Sequence, residues 1–191
     1  AVLEYLNTRK MVLLSPTSSG KSLILYVILR YLLDKLDKQK GLILVPNTSL
    51  VQQLFSDFAD YSSHNNWCVL DNIHQIYSGQ DKVSPKKIYL STWQSIFNLK
   101  LKDYFSKFDF ILTDECHLAS ASSLSNIVIQ CTNAEYRVGV TGTLNGQKIH
   151  SLQLESIFGK IKKVISTKEL MDKNAVTQLK IKCIVLKYPE E

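Results

Sequence analysis

Short apolar runs alternate with longer amphipathic segments along the 191 residues of this chain. The run from Leu42 to Val45 has no polar alternation, which is typical of a strand buried on both faces of a parallel sheet. Runs of this kind predict strands at Met11–Ser15, Leu42–Val45, Ile73–Tyr77, Lys87–Ser91, Phe108–Thr113, Tyr136–Val140, Ile161–Ile165 and Leu179–Tyr188. Because these strands alternate with predicted helices, the pattern predicts an α/β fold, with a mostly parallel central sheet and helices on both faces.

Capping and glycine residues predict where the helices begin and end. The first long helix is expected to run through the charged stretch Asp34–Lys40, with Gly41 as its stop signal. Asn47 or Thr48 can cap a second helix, and the polar stretch Ser62–Asn72 predicts a loop after it. Further helices are predicted at Val2–Asn7, after Thr92, along Leu124–Cys131, before Gly159 and at Lys168–Lys173.

Composition narrows the class of protein without assigning a function. Apolar residues make up 45% of the chain, as in a folded globular protein, and the formal charge of +6 is compatible with a polyanionic partner. The apolar stretch Leu23–Leu33 is too short to span a bilayer, and no signal peptide is visible. We therefore expect a cytoplasmic protein without membrane association. No CxxC spacing relates the four cysteines, which predicts reduced thiols at Cys68, Cys116, Cys131 and Cys183.

One loop between a predicted strand and a predicted helix carries the strongest chemical signal. Its residues are Ser15-Pro16-Thr17-Ser18-Ser19-Gly20-Lys21-Ser22. Gly20 has no Cβ to obstruct backbone N–H groups around a phosphate, Lys21 can reach the β- and γ-phosphates, and the Ser22 hydroxyl can bind Mg²⁺. The full phosphate-loop pattern has glycine where Ser15 stands, so a serine-rich turn before a capped helix is the alternative.

Two further polar motifs follow predicted strands, at Asp114–His117 and at Thr141–Thr143. Ligands of a parallel sheet bind at the carboxyl ends of its strands, so these motifs and the loop are expected to form one site. Taken alone, an acidic pair also fits a helix N-terminus, and Thr-Gly-Thr also fits a turn.

Each side chain of the expected site suits a step of ATP hydrolysis. Asp114 can hold Mg²⁺ opposite Ser22, and Glu115 can orient or deprotonate the attacking water. His117 can hydrogen-bond Thr141 or Thr143 and so sense the γ-phosphate. The predicted catalytic residues are therefore Lys21, Asp114 and Glu115, with ATP and Mg²⁺ as cofactors.

The order of these motifs resembles the first RecA-like domain, a P-loop NTPase domain, of superfamily 2 helicases. The segments that match motifs I, Ia, Ib, II and III are Ser15–Ser22, Pro46–Gln53, Thr92–Ser95, Asp114–His117 and Thr141–Thr143. Asp114–His117 spells Asp-Glu-Cys-His, the DECH box of that superfamily. Three segments are also similar to the UvsW-type recombination helicases of phages, namely Thr92–Gln94, Asp114–Ala119 and Leu186–Glu191.

The resemblance implies an ATP-dependent DNA helicase or translocase, with RNA as a possible substrate, that acts in recombination, repair or the processing of branched DNA and R-loops. It implies that Thr141, Gly142 and Thr143 couple hydrolysis to strand movement. It also implies that a single strand of nucleic acid contacts Pro46, Asn47, Thr48, Gln53, Thr92, Trp93 and Gln94. Trp93 can stack on a base but also fits a core position, and three lysines fit either a phosphate track or a solvated face: Lys160, Lys162 and Lys163.

The resemblance covers one domain and leaves two alternatives open. The chain opens at Ala1 inside an expected helix, and nothing in it resembles motifs IV to VI. We therefore expect residues 1–191 to be the ATP-binding domain of a longer chain whose second RecA-like domain is absent. The motor of a restriction endonuclease shares these motifs, and a non-unwinding ATP-gated clamp is the other alternative. The UvsW-type resemblance implies a phage or other viral protein in the host cytoplasm.

Overall fold

The computed structural model describes residues 8–16, 19–101, 103–120, 122–144 and 146–174. Its seven strands form one sheet in the order β3-β4-β2-β5-β6-β1-β7, and all neighbouring pairs are parallel. The strands are β1 Lys10–Leu14, β2 Gly41–Val45, β3 Ile73–Ile76, β4 Ile88–Thr92, β5 Phe110–Asp114, β6 Tyr136–Thr141 and β7 Ile161–Lys163. The predicted parallel sheet is confirmed, whereas the strand predicted at Leu179–Tyr188 lies outside the described residues.

Helices cover both faces of the sheet, as predicted. They are α1 Lys21–Asp34, α2 Thr48–Ser62, α3 Val69–Asn72, α4 Ser122–Gln130, α5 Lys148–Phe158 and α6 Thr167–Asp172, with 3₁₀ turns at Trp93–Ser95 and Cys116–Ser120. Asn47 caps α2, because its side chain accepts a hydrogen bond from the Leu50 N–H at 2.9 Å. The helix predicted at Val2–Asn7 lies outside the described residues. No helix in the described ranges is both long and apolar enough to cross a bilayer.

The period of two along a strand divides the core into two layers. Ile43 and Val45 of β2 point to the layer formed by α1 and α2, and Leu42 and Leu44 point to the layer formed by α4 and α5. All five residues of β2 are buried, which explains why its sequence shows no polar alternation. Burial of each such aliphatic side chain contributes about 1.5–3 kcal/mol.

The role predicted for Gly41 as a helix stop is wrong. Helix α1 ends at Asp34, and Gly41 is instead the first residue of β2. A Cβ on Gly41 would lie 2.1 Å from Cζ of Phe110, so the ring of the neighbouring strand β5 fills the place of a side chain. Close packing between β2 and β5 therefore requires this glycine.

Two shorter predictions also need correction. The stretch Ser62–Asn72 is not all loop, because its last four residues, Val69–Asn72, form helix α3 directly before β3. Val69 is buried in the core and anchors that turn against the sheet. The helix predicted after Thr92 is a single 3₁₀ turn, Trp93–Ser95.

Candidate active site

Three adjacent strands bring the phosphate loop and the two polar motifs together. Strands β5, β6 and β1 are neighbours in the sheet, with Asp114 aligned to Val140 and Leu14 aligned to Thr141. The Ser15 N–H extends this pairing by donating to the Thr141 carbonyl at 2.9 Å. The expectation that the three motifs share the carboxyl edge of the sheet is therefore met by the register of the strands.

The loop turns into α1 at Gly20, which has φ 79° and ψ 37°. This left-handed conformation is easily adopted only by glycine. Because Gly20 has no side chain to cap the helix, the first N–H groups of α1 remain for a ligand. The Ser15 and Ser19 hydroxyls are 2.6 Å apart and hold the two ends of the loop together, which gives the buried serine at position 15 a structural role. Thr17 and Ser18 lie outside the described residues.

Four side chains form a continuous network at this edge. Lys21 Nζ is 3.8 Å from Glu115 Oε1, and His117 Nδ1 is 3.2 Å from Glu115 Oε2. Thr141 Oγ1 lies 2.8 Å from His117 Nδ1 and 3.3 Å from Glu115 Oε2. The contact expected between His117 and Thr141 is present. Thr143 joins through its backbone, because its carbonyl is 3.0 Å from Thr141 Oγ1.

The two neighbouring carboxylates occupy different environments. Glu115 has φ 48°, a left-handed value that costs a non-glycine residue about 1–3 kcal/mol. Its N–H donates to Asp114 Oδ1 at 2.9 Å. Burial raises the pKa of Asp114, and the nearby charge of Glu115 raises it further. A cation bound beside Asp114 would oppose both effects.

Cys116 supports this turn from the core. Its side chain is fully buried, and burial raises the pKa of its thiol far above the usual range, so the sulfur stays protonated. A Cβ on Gly139 of β6 would lie 2.7 Å from Cys116 Sγ, which shows how closely the turn packs on the sheet. The structure agrees with the interpretation of Cys116 as a packing residue.

A cavity of about 490 Å³ opens beside this network. It is lined by Gly20, Lys21, Ser22, Leu50, Gln53, Leu54, Asp57, Asp114 and Glu115. The Ser22 hydroxyl and the Asp114 carboxylate are hard oxygen donors of the kind that Mg²⁺ prefers, so the residues present fit this ion. Among the described residues no cluster of three His, Cys, Asp or Glu side chains could hold a metal. Two protein ligands and a nucleotide phosphate are sufficient for Mg²⁺.

Sequence reasoning missed the contribution of helix α2 to this cavity. Gln53 and Asp57 line it, and Tyr61 Oη is 3.0 Å from Ser22 Oγ. These three residues recur every fourth position and so share one helix face, a polar stripe that the sequence does display. His150 also supports the site, because it is buried on α5 and donates from Nε2 to the His117 carbonyl at 2.7 Å. Its position has no sequence signal.

Most of the residues expected to contact nucleic acid lie at the adjacent ends of β2 and β4. Val45 is aligned with Thr92, so the segments that follow these residues are neighbours. Gln94 Nε2 donates to the Pro46 carbonyl at 3.0 Å, Thr92 Oγ1 is 2.8 Å from Ser95 Oγ, and Thr48 is exposed at the start of α2. Thr48 and Gln94 are therefore exposed at this end of the sheet, whereas Thr92 is buried.

Four other residues considered for nucleic-acid contact are placed differently. Gln53 lies in the wall of the cavity beside Lys21 and Glu115. Trp93 is 6% exposed and packs in the core, so a base could not stack on its ring without displacing that packing. Strand β7, which carries Lys162 and Lys163, lies five strand positions from β4, about 24 Å across the sheet. A solvated face of the protein suits these lysines better than an extension of the predicted path of the nucleic-acid strand.

The family model described as "Type III restriction enzyme, res subunit" matches residues 1–146. The chain belongs to this family. Two curated relatives add detail to the assignment. The chain is 38% identical over 192 aligned residues to the "ATP-dependent DNA helicase uvsW" of Enterobacteria phage T4, covering 100% of the chain and 38% of the relative. It is 26% identical to "Putative helicase 22" of Sulfolobus islandicus filamentous virus, covering 82% of the chain and 28% of the relative.

Solved structures confirm the RecA-like fold of this family member. The crystal structure of the phage T4 UvsW helicase superposes with a TM-score of 0.73 at 34% identity, covering 85% of this chain and 57% of that chain. The Hef helicase domain of Pyrococcus furiosus superposes with a TM-score of 0.68 at 19% identity, covering 89% of this chain and 38% of that chain, a likeness of fold. The resemblance to superfamily 2 helicases is confirmed. The chain spans 38% and 28% of the length of its curated relatives.

Proposed function

We propose that this chain is the ATP-binding motor domain of an ATP-dependent DNA helicase or translocase. The observation that carries the proposal is the contact series Lys21, Glu115, His117 and Thr141, which joins three motifs at one cavity. The groups proposed to bind phosphate, polarise water and report on the γ-phosphate are thereby linked, Lys21 to Glu115 by an ion pair and Glu115, His117 and Thr141 by shorter polar contacts. The name of the T4 relative, an ATP-dependent DNA helicase, supports the same reaction.

Each residue has a specific role in this proposal. Backbone N–H groups where the loop turns into α1 and the Lys21 ammonium bind the β- and γ-phosphates, and Lys21 exchanges its Glu115 partner for them. Ser22 and Asp114 hold Mg²⁺, which neutralises developing charge on the phosphates when it is bound. Glu115, once freed from Lys21, orients or deprotonates the attacking water. His117 and Thr141 hold the Glu115 carboxylate in place.

Hydrolysis at full rate requires a partner domain in this proposal. The three arginines of the chain, Arg9, Arg30 and Arg137, are not among the cavity residues. Arg30 bonds Asp34, and Arg137 donates to backbone carbonyls near the opposite edge of the sheet. An arginine finger supplied by a second RecA-like domain would stabilise the transition state and is worth about 10³-fold or more in rate.

The proposed polymer substrate is single-stranded or branched DNA, with RNA as the alternative. Neutral donors at the exposed residues Asn47, Thr48 and Gln94, together with the N-terminus of α2, suit phosphate oxygens and carry no sequence information. The resemblance to UvsW-type recombination helicases of phages makes recombination, repair or the processing of branched DNA and R-loops the proposed setting, in the cytoplasm of an infected host. The matched family description favours a restriction-endonuclease motor as the second candidate, and ATP-dependent DNA cleavage by a longer form would select it.

The division of work between the two carboxylates tests the proposal. Glu115→Gln should bind Mg·ATP about as tightly as the parent and hydrolyse it at least about tenfold more slowly. Asp114→Asn should also lose the part of the nucleotide affinity that depends on Mg²⁺. Calorimetric titration and single-turnover hydrolysis measure the two quantities separately. Equal binding and equal hydrolysis in both variants would contradict these roles.

The need for a second RecA-like domain is tested by joining one to this chain. Steady-state hydrolysis is measured for both forms, with and without single-stranded DNA. The chain alone should hydrolyse ATP slowly, unwind nothing and respond little to DNA. The joined form should show DNA-stimulated turnover, because cleft closure inserts the arginine. Strong DNA stimulation of residues 1–191 alone would contradict the two-domain motor.

A further inference from the structure

The hydroxyl of Ser22 has one hydrogen-bond partner among the described residues, and that partner lies on another helix. Ser22 is the second residue of α1, and its Oγ is 3.0 Å from Oη of Tyr61 near the end of α2. A serine in a helix usually donates back to a carbonyl three or four residues earlier. Tyr61 offers a different partner and so selects another orientation of the Ser22 hydroxyl.

The ring of Tyr61 is held by an aromatic cluster, so its hydroxyl has a defined position. Its centroid lies 5.6 Å from that of Tyr26, at an interplanar angle of 56°. Tyr26 is buried and is itself fixed, because its hydroxyl is 3.1 Å from Arg30 Nη1 and 3.0 Å from Asn65 Nδ2. Tyr26 also packs at 5.5 Å on Phe58. Tyr61 therefore reaches Ser22 from a rigid support that spans α1, α2 and the loop after α2.

The chemistry of a hydroxyl determines what this contact does when Mg²⁺ is bound. A hydroxyl has one proton and two acceptor lone pairs. An oxygen that coordinates a cation uses a lone pair on the metal, and its proton then needs an acceptor. Tyr61 Oη is placed to be that acceptor, and polarisation by the cation makes the Ser22 O–H a stronger donor.

We infer that Tyr61 is a positioning residue for the metal site, whose hydroxyl accepts the Ser22 proton and turns the Ser22 lone pairs towards Mg²⁺. This inference rests on the proposed function, because it requires Ser22 to be a metal ligand. Tyr61 touches neither metal nor nucleotide in this arrangement. Its loss should therefore weaken the response to Mg²⁺ without weakening the binding of the nucleotide itself.

The test measures binding of a non-hydrolysable ATP analogue by calorimetry, with Mg²⁺ titrated from zero. Tyr61→Phe removes only the hydroxyl and keeps the ring in the aromatic cluster. The Mg²⁺ concentration that gives half of the full gain in nucleotide affinity should rise about three- to tenfold, because one hydrogen bond to a polarised group is lost. Metal-free affinity should change by less than about twofold, which also shows that the variant is folded. Tyr31→Phe is the matched control, because Tyr31 lies on α1, is half-buried, and its hydroxyl makes no hydrogen bond among the described residues.

Ser22→Ala separates failure of this inference from failure of the proposed function. If Ser22→Ala keeps the Mg²⁺ dependence of the parent, Ser22 is not a metal ligand and the proposed metal site is wrong. If Ser22→Ala loses that dependence and Tyr61→Phe keeps it, the metal site stands and the role of Tyr61 is wrong. In the double variant, Tyr61→Phe should add nothing to Ser22→Ala, because both changes remove the same contact. An additive effect would contradict the inference.

Discussion

The predicted nucleotide cavity and the predicted nucleic-acid surface lie at the same edge of the sheet. Their polar side chains differ in where their hydrogen-bond and ion-pair partners come from. In the cavity, partners come from distant parts of the chain, as when Lys21 contacts Glu115 and Ser22 contacts Tyr61. At the surface, Asn47 caps its own helix and Thr92 contacts Ser95. Local propensity creates caps and turns without any ligand, whereas contacts between distant segments depend on the fold. The cavity is therefore the better-supported functional site.

The predicted nucleic-acid surface still has donors that could contact a nucleic-acid strand. The Asn47 carbonyl oxygen is used by the Leu50 N–H, yet its amide group retains two donors. Gln94 is the surface residue that bonds across strands, to the Pro46 carbonyl. Binding through a few neutral donors and a helix N-terminus should be weak and independent of sequence. Energetic effects of substitutions should accordingly be large in the cavity and small at the surface.

The largest effect is expected for Lys21→Ala. Removal of the ammonium deprives the phosphates of a charge-assisted partner, and hydrolysis should fall about hundredfold or more. Lys35→Ala is the matched control, because Lys35 is exposed just after α1 and should leave turnover unchanged. Phosphate release and thermal unfolding measure activity and folding together. Near-normal turnover by folded Lys21→Ala would remove Lys21 from the site.

A smaller effect is expected for Thr141→Val, which deletes the hydroxyl between His117 and Glu115. The reaction rate at saturating ATP should fall about tenfold, because Glu115 is held less well while phosphate binding is kept. Thr113→Val is a matched control one strand away. The buried Thr113 hydroxyl makes no hydrogen bond among the described residues, so its loss should be neutral or stabilising. Single-turnover hydrolysis compares them, and equal rates would contradict a role for the network.

The sequence predicted the sheet and the shared edge of the three motifs because both depend on local signals. Uninterrupted apolar runs such as Leu42–Val45 exist only where both faces of a strand are covered. Motifs that follow such strands must share one edge, so the sequence predicts Ser22, Asp114 and Thr141 at the same edge of the sheet. Strand order is not needed to predict that edge, but the closeness of the three motifs depends on β5, β6 and β1 being neighbours.

The remaining features depend on contacts between segments distant in sequence. Gly41 has the sequence signature of a helix stop, and only the Phe110 ring across the sheet explains it. The Ser22–Tyr61 contact joins residues 39 positions apart, and Glu115 has a left-handed backbone that the sequence does not indicate. Trp93 shows the opposite case, since a residue type suited to base stacking is used for packing. Residue chemistry limits the possible roles, and tertiary packing selects one.

The smallest effect, and the sharpest test of the surface, is expected at Asn47. Asn47→Ala removes the cap of α2 and should lower the free energy of unfolding by about 1 kcal/mol. Asn47→Ser keeps a capping oxygen, so its stability should stay within a few tenths of a kcal/mol of the parent, but it lacks the amide donors. If the amide contacts phosphate, both variants should bind single-stranded DNA about two- to threefold more weakly, although only Ala is destabilised. Denaturant unfolding and fluorescence anisotropy with a labelled oligonucleotide measure the two properties. Parent-like DNA affinity in Asn47→Ser, with weakened affinity in Asn47→Ala, would mean that Asn47 serves the helix and not the strand.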